Sequence, residues 1–71
     1  MTDIDPRAEF EGGNAALAEG RAGDAVSHYR KALVAAPDVV EVHHNLTAAL
    51  AQLGRNDEAM AVARQGLAQR A

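Results

Sequence analysis

This sequence predicts an all-α fold of two tandem helical hairpins, four antiparallel helices in all, and three observations carry the prediction. The first is a period of 34 residues. When residues 20–37 are laid on residues 54–71, Gly20 falls on Gly54, Arg21 on Arg55, Ala25 on Ala59 and Leu33 on Leu67, while small Ala32 meets small Gly66. A period of that length filled with helical pattern marks a stacked helical-hairpin array. The second is composition: alanine is abundant, glutamate, arginine, leucine and glutamine support it, and there is one tyrosine and one phenylalanine; these are good helix formers. The third is punctuation, because Gly20, Pro37 and Gly54 divide the chain into four helical stretches and leave no room for a sheet.

Residues 1–5 read as a short lead-in. Asp5-Pro6 then starts the first helix, with aspartate as N-cap and proline in the first turn. Its apolar members, Phe10, Leu17 and the alanines, are sparse, and Gly12-Gly13 sits in its interior, where each glycine costs about 1 kcal/mol relative to alanine. The helix runs to about Glu19 and stops at Gly20, a natural left-handed residue beyond the cap. A second helix begins around Ala22–Asp24, with Asp24 at the positive end of the dipole and Arg30 and Lys31 toward the negative end. Ala25, Val26, Tyr29, Ala32, Leu33 and Ala36 form its apolar stripe. Pro37 marks the corner.

Asp38-Val39-Val40-Glu41 has the form of a capping box for the third helix. That helix carries Val42, Leu46, Ala49, Leu50 and Leu53 and ends at Gly54. Asn56 is the expected N-cap of the fourth, with Asp57 and Glu58 in its first turn and Ala59, Met60, Val62, Ala63, Gly66 and Leu67 as its stripe.

Bulk properties narrow the function. Seventy-one residues make one small domain, for which a crude core estimate gives a net stability near zero. The chain has no cysteine, so neither a disulfide nor a thiolate metal site adds to it. Residues 1–37 hold four basic and six acidic side chains, and 38–71 hold three and four. Neither half is basic and no arginine cluster alternates with aromatics, which argues against a nucleic-acid partner. No apolar run reaches the 18 or so residues a spanning helix needs, and the acidic, polar start is the reverse of a secretion signal. A cytoplasmic protein without membrane contact is expected.

With these residues in place, the pattern resembles the tetratricopeptide repeat, a 34-residue unit of two antiparallel helices. Taking Pro6 and Val40 as the first positions of two units, the second supplies Leu46, Leu50, Gly54 and Ala59 at the signature places. The first supplies Gly13, Gly20, Ala25, Tyr29, Ala32 and Pro37. The resemblance covers residues 6–71, dividing the chain into a lead-in over 1–5, one repeat over 6–39 and another over 40–71. It implies a right-handed α-solenoid fragment of the kind found in bacterial repeat proteins, with small residues where helices approach and Tyr29 filling the volume between hairpins. Glu9 and Gly12 depart from the bulky residues the family prefers, and Ala63 stands where an aromatic is expected.

The resemblance also implies a non-catalytic module that binds a protein or peptide in a concave groove lined by the first helix of each unit. By position that groove is lined by Arg7, Phe10, Asn14, Leu17, Ala18, Glu41, His44, Ala48, Ala51 and Gln52. Phe10 and Leu17 would take an apolar side chain, and side-chain amides would bond a peptide backbone. Some relatives grip a C-terminal carboxylate with a lysine and two asparagines. Asn14 and Asn45 occupy the asparagine places, but Phe10 stands at the lysine place and the cationic fork is missing. Two units leave the outer face of the fourth helix open, so Met60, Val62, Ala63 and Leu67 are expected to form a self-association surface, through a symmetric homodimer or exchange of hairpins.

Other chemistry has little support. His43 and His44, adjacent on a helix, point about 100° apart, so no metal site is expected; His43 belongs at the helix seam and His44 in the groove. Ser27 and His28 diverge in the same way. No phosphate-binding loop or carboxylate pair is present, so no cofactor and no enzyme activity are expected. Gly12-Gly13-Asn14 reads as close packing. Two alternatives remain. One is a recruitment segment of an enzyme system, since the sequence looks like arrays attached to bacterial glycosyl-, sulfo- and methyltransferases. The other is a small carrier whose tail, Gln69-Arg70-Ala71, is modified by a partner enzyme.

Overall fold

The computed structural model describes residues 3–70. Four helices follow in order: α1 (Pro6–Ala18), α2 (Ala22–Ala35), α3 (Val40–Gln52) and α4 (Asn56–Arg70). No strand occurs among the described residues. α1 packs on α2, α2 on α3 and α3 on α4, with a light contact between α1 and α3. The result is a slab of 33 × 32 × 17 Å, with α3 in the middle touching all three other helices.

Local chemistry sets the helix ends. The Asp5 carboxylate accepts hydrogen bonds from the backbone N–H of Arg7 (3.0 Å) and Ala8 (3.4 Å), satisfying two donors that a first turn leaves unpaired. Pro6, the first helical residue, has no N–H to lose. At the other end Gly20 adopts φ +78°; its N–H bonds Leu17 O and that of Arg21 bonds Ala16 O. The same paired closure recurs 34 residues on, with Gly54 at φ +75° and bonds from Gly54 to Ala51 and from Arg55 to Leu50. This is the Schellman closure, which needs a left-handed residue just past the cap, where a Cβ is disfavoured. The ion pairs that follow it also repeat: Arg21 pairs with Asp24 at 2.8 Å and with Glu19, and Arg55 pairs with Glu58.

Two expected starts are revised. α3 begins at Val40 after Val39, which makes no side-chain cap bond, so the capping box at Asp38 does not form. The chain turns at Pro37–Asp38 one residue too early for the aspartate to reach the helix amides. Asn56 is the first residue of α4 rather than the residue before it. Of the lead-in, Met1 and Thr2 lie outside the described residues, as does Ala71 of the tail; Gln69 and Arg70 belong to α4.

The core gathers Val26, Tyr29, Val42, Leu46 and Leu50 among five alanines that lie between the helices. Tyr29, Leu46 and Leu50 are the largest fully buried side chains. Their burial depends on small neighbours. A Cβ on Gly13 would stand 2.7 Å from Cδ1 and 2.8 Å from Cζ of Tyr29, and one on Gly12 would stand 3.1 Å from the His28 ring. The double glycine in α1 is therefore the surface on which α2 lays its two rings. Gly66 does the same between α4 and α3, where an added Cβ would meet His43 Cβ at 2.9 Å.

Candidate partner-binding surfaces

An open trough of about 540 Å³ runs along α1 and α3, lined by Phe10, Val40, Glu41, His44 and Asn45. Its apolar wall comes from Phe10, half-buried with its ring tilted 48° against Tyr29 at a centroid separation of 6.1 Å. A three-helix hydrogen-bond cluster holds its polar end. The Tyr29 hydroxyl donates to Asn14 Oδ1 at 2.6 Å, and Asn45 Nδ2 donates to the same oxygen at 2.9 Å. An amide oxygen has two lone pairs, and both are thereby used. Burial raises the Tyr29 phenol above its ordinary pKa, while the adjacent Asn45 amide pulls the other way.

The structure sorts the residues expected in the groove. Phe10, Glu41 and His44 come together on the trough. Asn14 turns its carbonyl inward to Tyr29 and Asn45, so that oxygen serves the fold instead of a guest peptide. The two asparagines at the carboxylate-gripping places are thus bonded to each other. Leu17 is half-buried against the core. Arg7 is exposed near Glu11 at 3.8 Å, and Gln52 is exposed at the end of α3; neither lines the trough. Asn45 and Val40, which do line it, were not among the expected groove residues. Asn45 could have been placed there from its match to a polar repeat position, whereas Val40 sits on a helix edge that periodicity alone does not assign to one wall.

A second concave region lies between α3 and α4. This hollow, of about 230 Å³, is lined by Val40, His43, His44, Thr47, Ala63, Gly66 and Leu67. Beside it Met60 (54%) and Leu67 (64%) are exposed, and Ala63 is half-buried. Val62, expected on the same surface, is only 7% exposed and belongs to the core cluster with Leu46 and Leu50. It sits one position out of the i, i+3, i+7 series formed by Met60, Ala63 and Leu67, and so turns inward.

The histidines have separate situations. His43 is buried with Nδ1 at 3.1 Å from Val39 O, His44 is exposed, and His28 Nδ1 lies 2.8 Å from the Glu9 carboxylate. Among the described residues no three His, Cys, Asp or Glu side chains group as a metal site, and no buried side-chain nitrogen or oxygen lacks a partner. No described helix is long and apolar enough to cross a membrane.

Stacked antiparallel hairpins joined by repeated glycine closures, with a concave first-helix face, define a helical-repeat protein. The family model of the tetratricopeptide repeat matches residues 16–71, and the chain belongs to that family. The match begins inside α1, beyond Glu9 and Gly12, where the sequence departs from the family pattern. Neither a curated protein nor a solved structure matches the chain. Tetratricopeptide repeats generally mediate protein–protein interaction and are typically non-catalytic.

Proposed function

We propose that the chain binds a short segment of a partner protein in the trough along α1 and α3. The observation that carries this reading is the trough's composition: an apolar wall of Phe10 and Val40 beside the exposed groups of Glu41 and His44. Glu41 makes no ion pair with any described residue. A peptide that places one apolar side chain on Phe10 and a lysine or arginine near Glu41 fits both features, and the internally bonded Asn14–Asn45 pair keeps the wall in place without rearrangement. The recruiting role in an enzyme system is one use of the same trough.

The test is selection from a random peptide library on the immobilised folded chain, followed by titration of the selected peptides. Peptides with an apolar residue next to a basic one are expected to emerge, and Glu41→Lys to weaken them at least about tenfold. Glu41 and His44 are exposed, so Glu41→Lys and His44→Ala keep the helical dichroism and isolate the trough from the fold. Selected peptides indifferent to both changes would refute the reading.

A further inference from the structure

The face of α4 that bears the hollow is the repeat copy of a face that is already covered elsewhere in the chain. Val26, Tyr29 and Leu33 of α2 match Met60, Ala63 and Leu67 of α4, 34 residues on. In the first hairpin α3 lies over that face, and Val26 and Tyr29 are 5% and 0% exposed. In the second hairpin Met60 and Leu67 are exposed, and half-buried Ala63 stands where Tyr29 supplies a ring. The lining of the hollow follows from this match: Val40, His43, His44, Thr47, Ala63, Gly66 and Leu67 correspond to Pro6, Glu9, Phe10, Gly13, Tyr29, Ala32 and Leu33. It is the volume of the Tyr29 ring left empty at Ala63, with the smaller, exposed His44 ring where Phe10 stands in the first hairpin.

We propose that a second copy of this chain covers this face, α4 against α4 in antiparallel sense, with Met60 of each copy seated in the hollow of the other. A two-fold axis beside Ala63 sets Met60 level with Gly66 and Leu67 of the second copy, where exposed Leu67 edges the hollow. One helix thus carries both a protruding apolar chain and the gap that receives it, the self-complementarity an isologous contact requires. Met60 suits the gap because an unbranched thioether chain adapts to an irregular space. The head-to-tail alternative, with α1 of the second copy laid as α3 lies on α2, lacks the means to fill the gap. Its Ala8, Glu11 and Ala15, at the places of Val42, Asn45 and Ala49, are small or charged and exposed.

One helix pair buries less than the usual interface of about 1,600 Å², so the association is weak and is read by sedimentation equilibrium of the full chain from about 10 µM to about 1 mM. The mass is expected to rise from 7.4 kDa toward twice that value. Met60→Ser, and Ala63→Leu, which fills the gap within its own chain, are each expected to move the midpoint upward at least about tenfold with helicity retained. The chain has no cysteine, so Arg64→Cys introduces a single thiol near the axis, and mild oxidation is expected to trap a disulfide-linked pair, whereas Ala51→Cys on α3 does not. A monomer at every concentration, or a dimer whose midpoint both α4 variants leave in place and whose Arg64→Cys form does not cross-link, overturns the proposal. Glu41→Lys in the trough leaves the dimer midpoint unchanged, which separates this contact from peptide binding.

Discussion

In the first hairpin the Tyr29 ring lies against Gly13, bonds Asn14 and is sealed under α3. In the second, at the matched places, Ala63 faces Thr47, Ala48 replaces the asparagine, and a hollow remains. The backbone plan is the same, down to the glycine closures and the arginine–carboxylate pairs that follow them. Side-chain volume at two facing positions makes one hairpin a filled, cross-linked body and the other an open seat. A repeat fold tolerates such exchange because each unit packs only on its neighbours, so a hole in one unit does not propagate.

The comparison breaks most visibly at Tyr29. Replacing Tyr29 with alanine should destabilise the fold by about 3–5 kcal/mol, enough to leave a domain of this size largely unfolded at 25 °C. The matched Ala63→Gly should cost about 1 kcal/mol or less, the helix-propensity difference alone. Urea titration followed at 222 nm measures both, and equal losses would show that the hairpins are packed alike. Next comes Gly13→Ala, whose new methyl enters the Tyr29 ring. A cost of about 1–3 kcal/mol is expected, seen as a fall in Tm of about 4–8 °C per kcal/mol.

Transplanting the aromatic pair sharpens the contrast. Ala63→Tyr alone overpacks against Thr47, whereas Ala63→Tyr with Thr47→Gly recreates the first hairpin's arrangement. A double-mutant cycle should return a favourable coupling of at least about 1 kcal/mol; additive losses would mean that Thr47 does not block the site.

Removing only the hydroxyl, Tyr29→Phe should cost about 1 kcal/mol. It also alters the response to base. Because the folded phenol titrates above its ordinary value, its neutral form is favoured by folding. That stability is fully present below the unfolded pKa and is lost as pH rises from there through the folded pKa. The native protein should therefore weaken above about pH 10, and Tyr29→Phe should remove that part of the slope. The smallest change is Gly23→Ala, in the first turn of α2. A Cβ there meets nothing within 4 Å, so the substitution should stabilise by about 0.4–1 kcal/mol, the opposite sign to Gly13→Ala.

Much of this was legible in the residues. Asp5-Pro6, Gly20 and Gly54 announced helix ends because caps are made within a few consecutive residues. Ala25, Tyr29 and Ala32 announced a buried stripe because helical spacing puts them on one side. Asp38 misled because a capping box fits only if the helix starts where the motif expects, and the turn at Pro37–Asp38 decides that. Val62 misled because a stripe of alternating small and apolar residues does not say which edge of α4 meets α3.

What the amino-acid order determined unaided was the period of 34, the four helices, the corners between them and the small residues at their crossings, all consequences of local backbone preference and helical repeat. What only the packed molecule decided was how facing side chains are used. Asn14 bonds inward instead of lining the groove because Tyr29 and Asn45, distant in the chain, arrive at its oxygen. Likewise Ala63 becomes the floor of a hollow because Thr47 and Gly66 leave the ring's volume vacant beside it. Those outcomes depend on which groups meet across helices, and no window of consecutive residues contains that information.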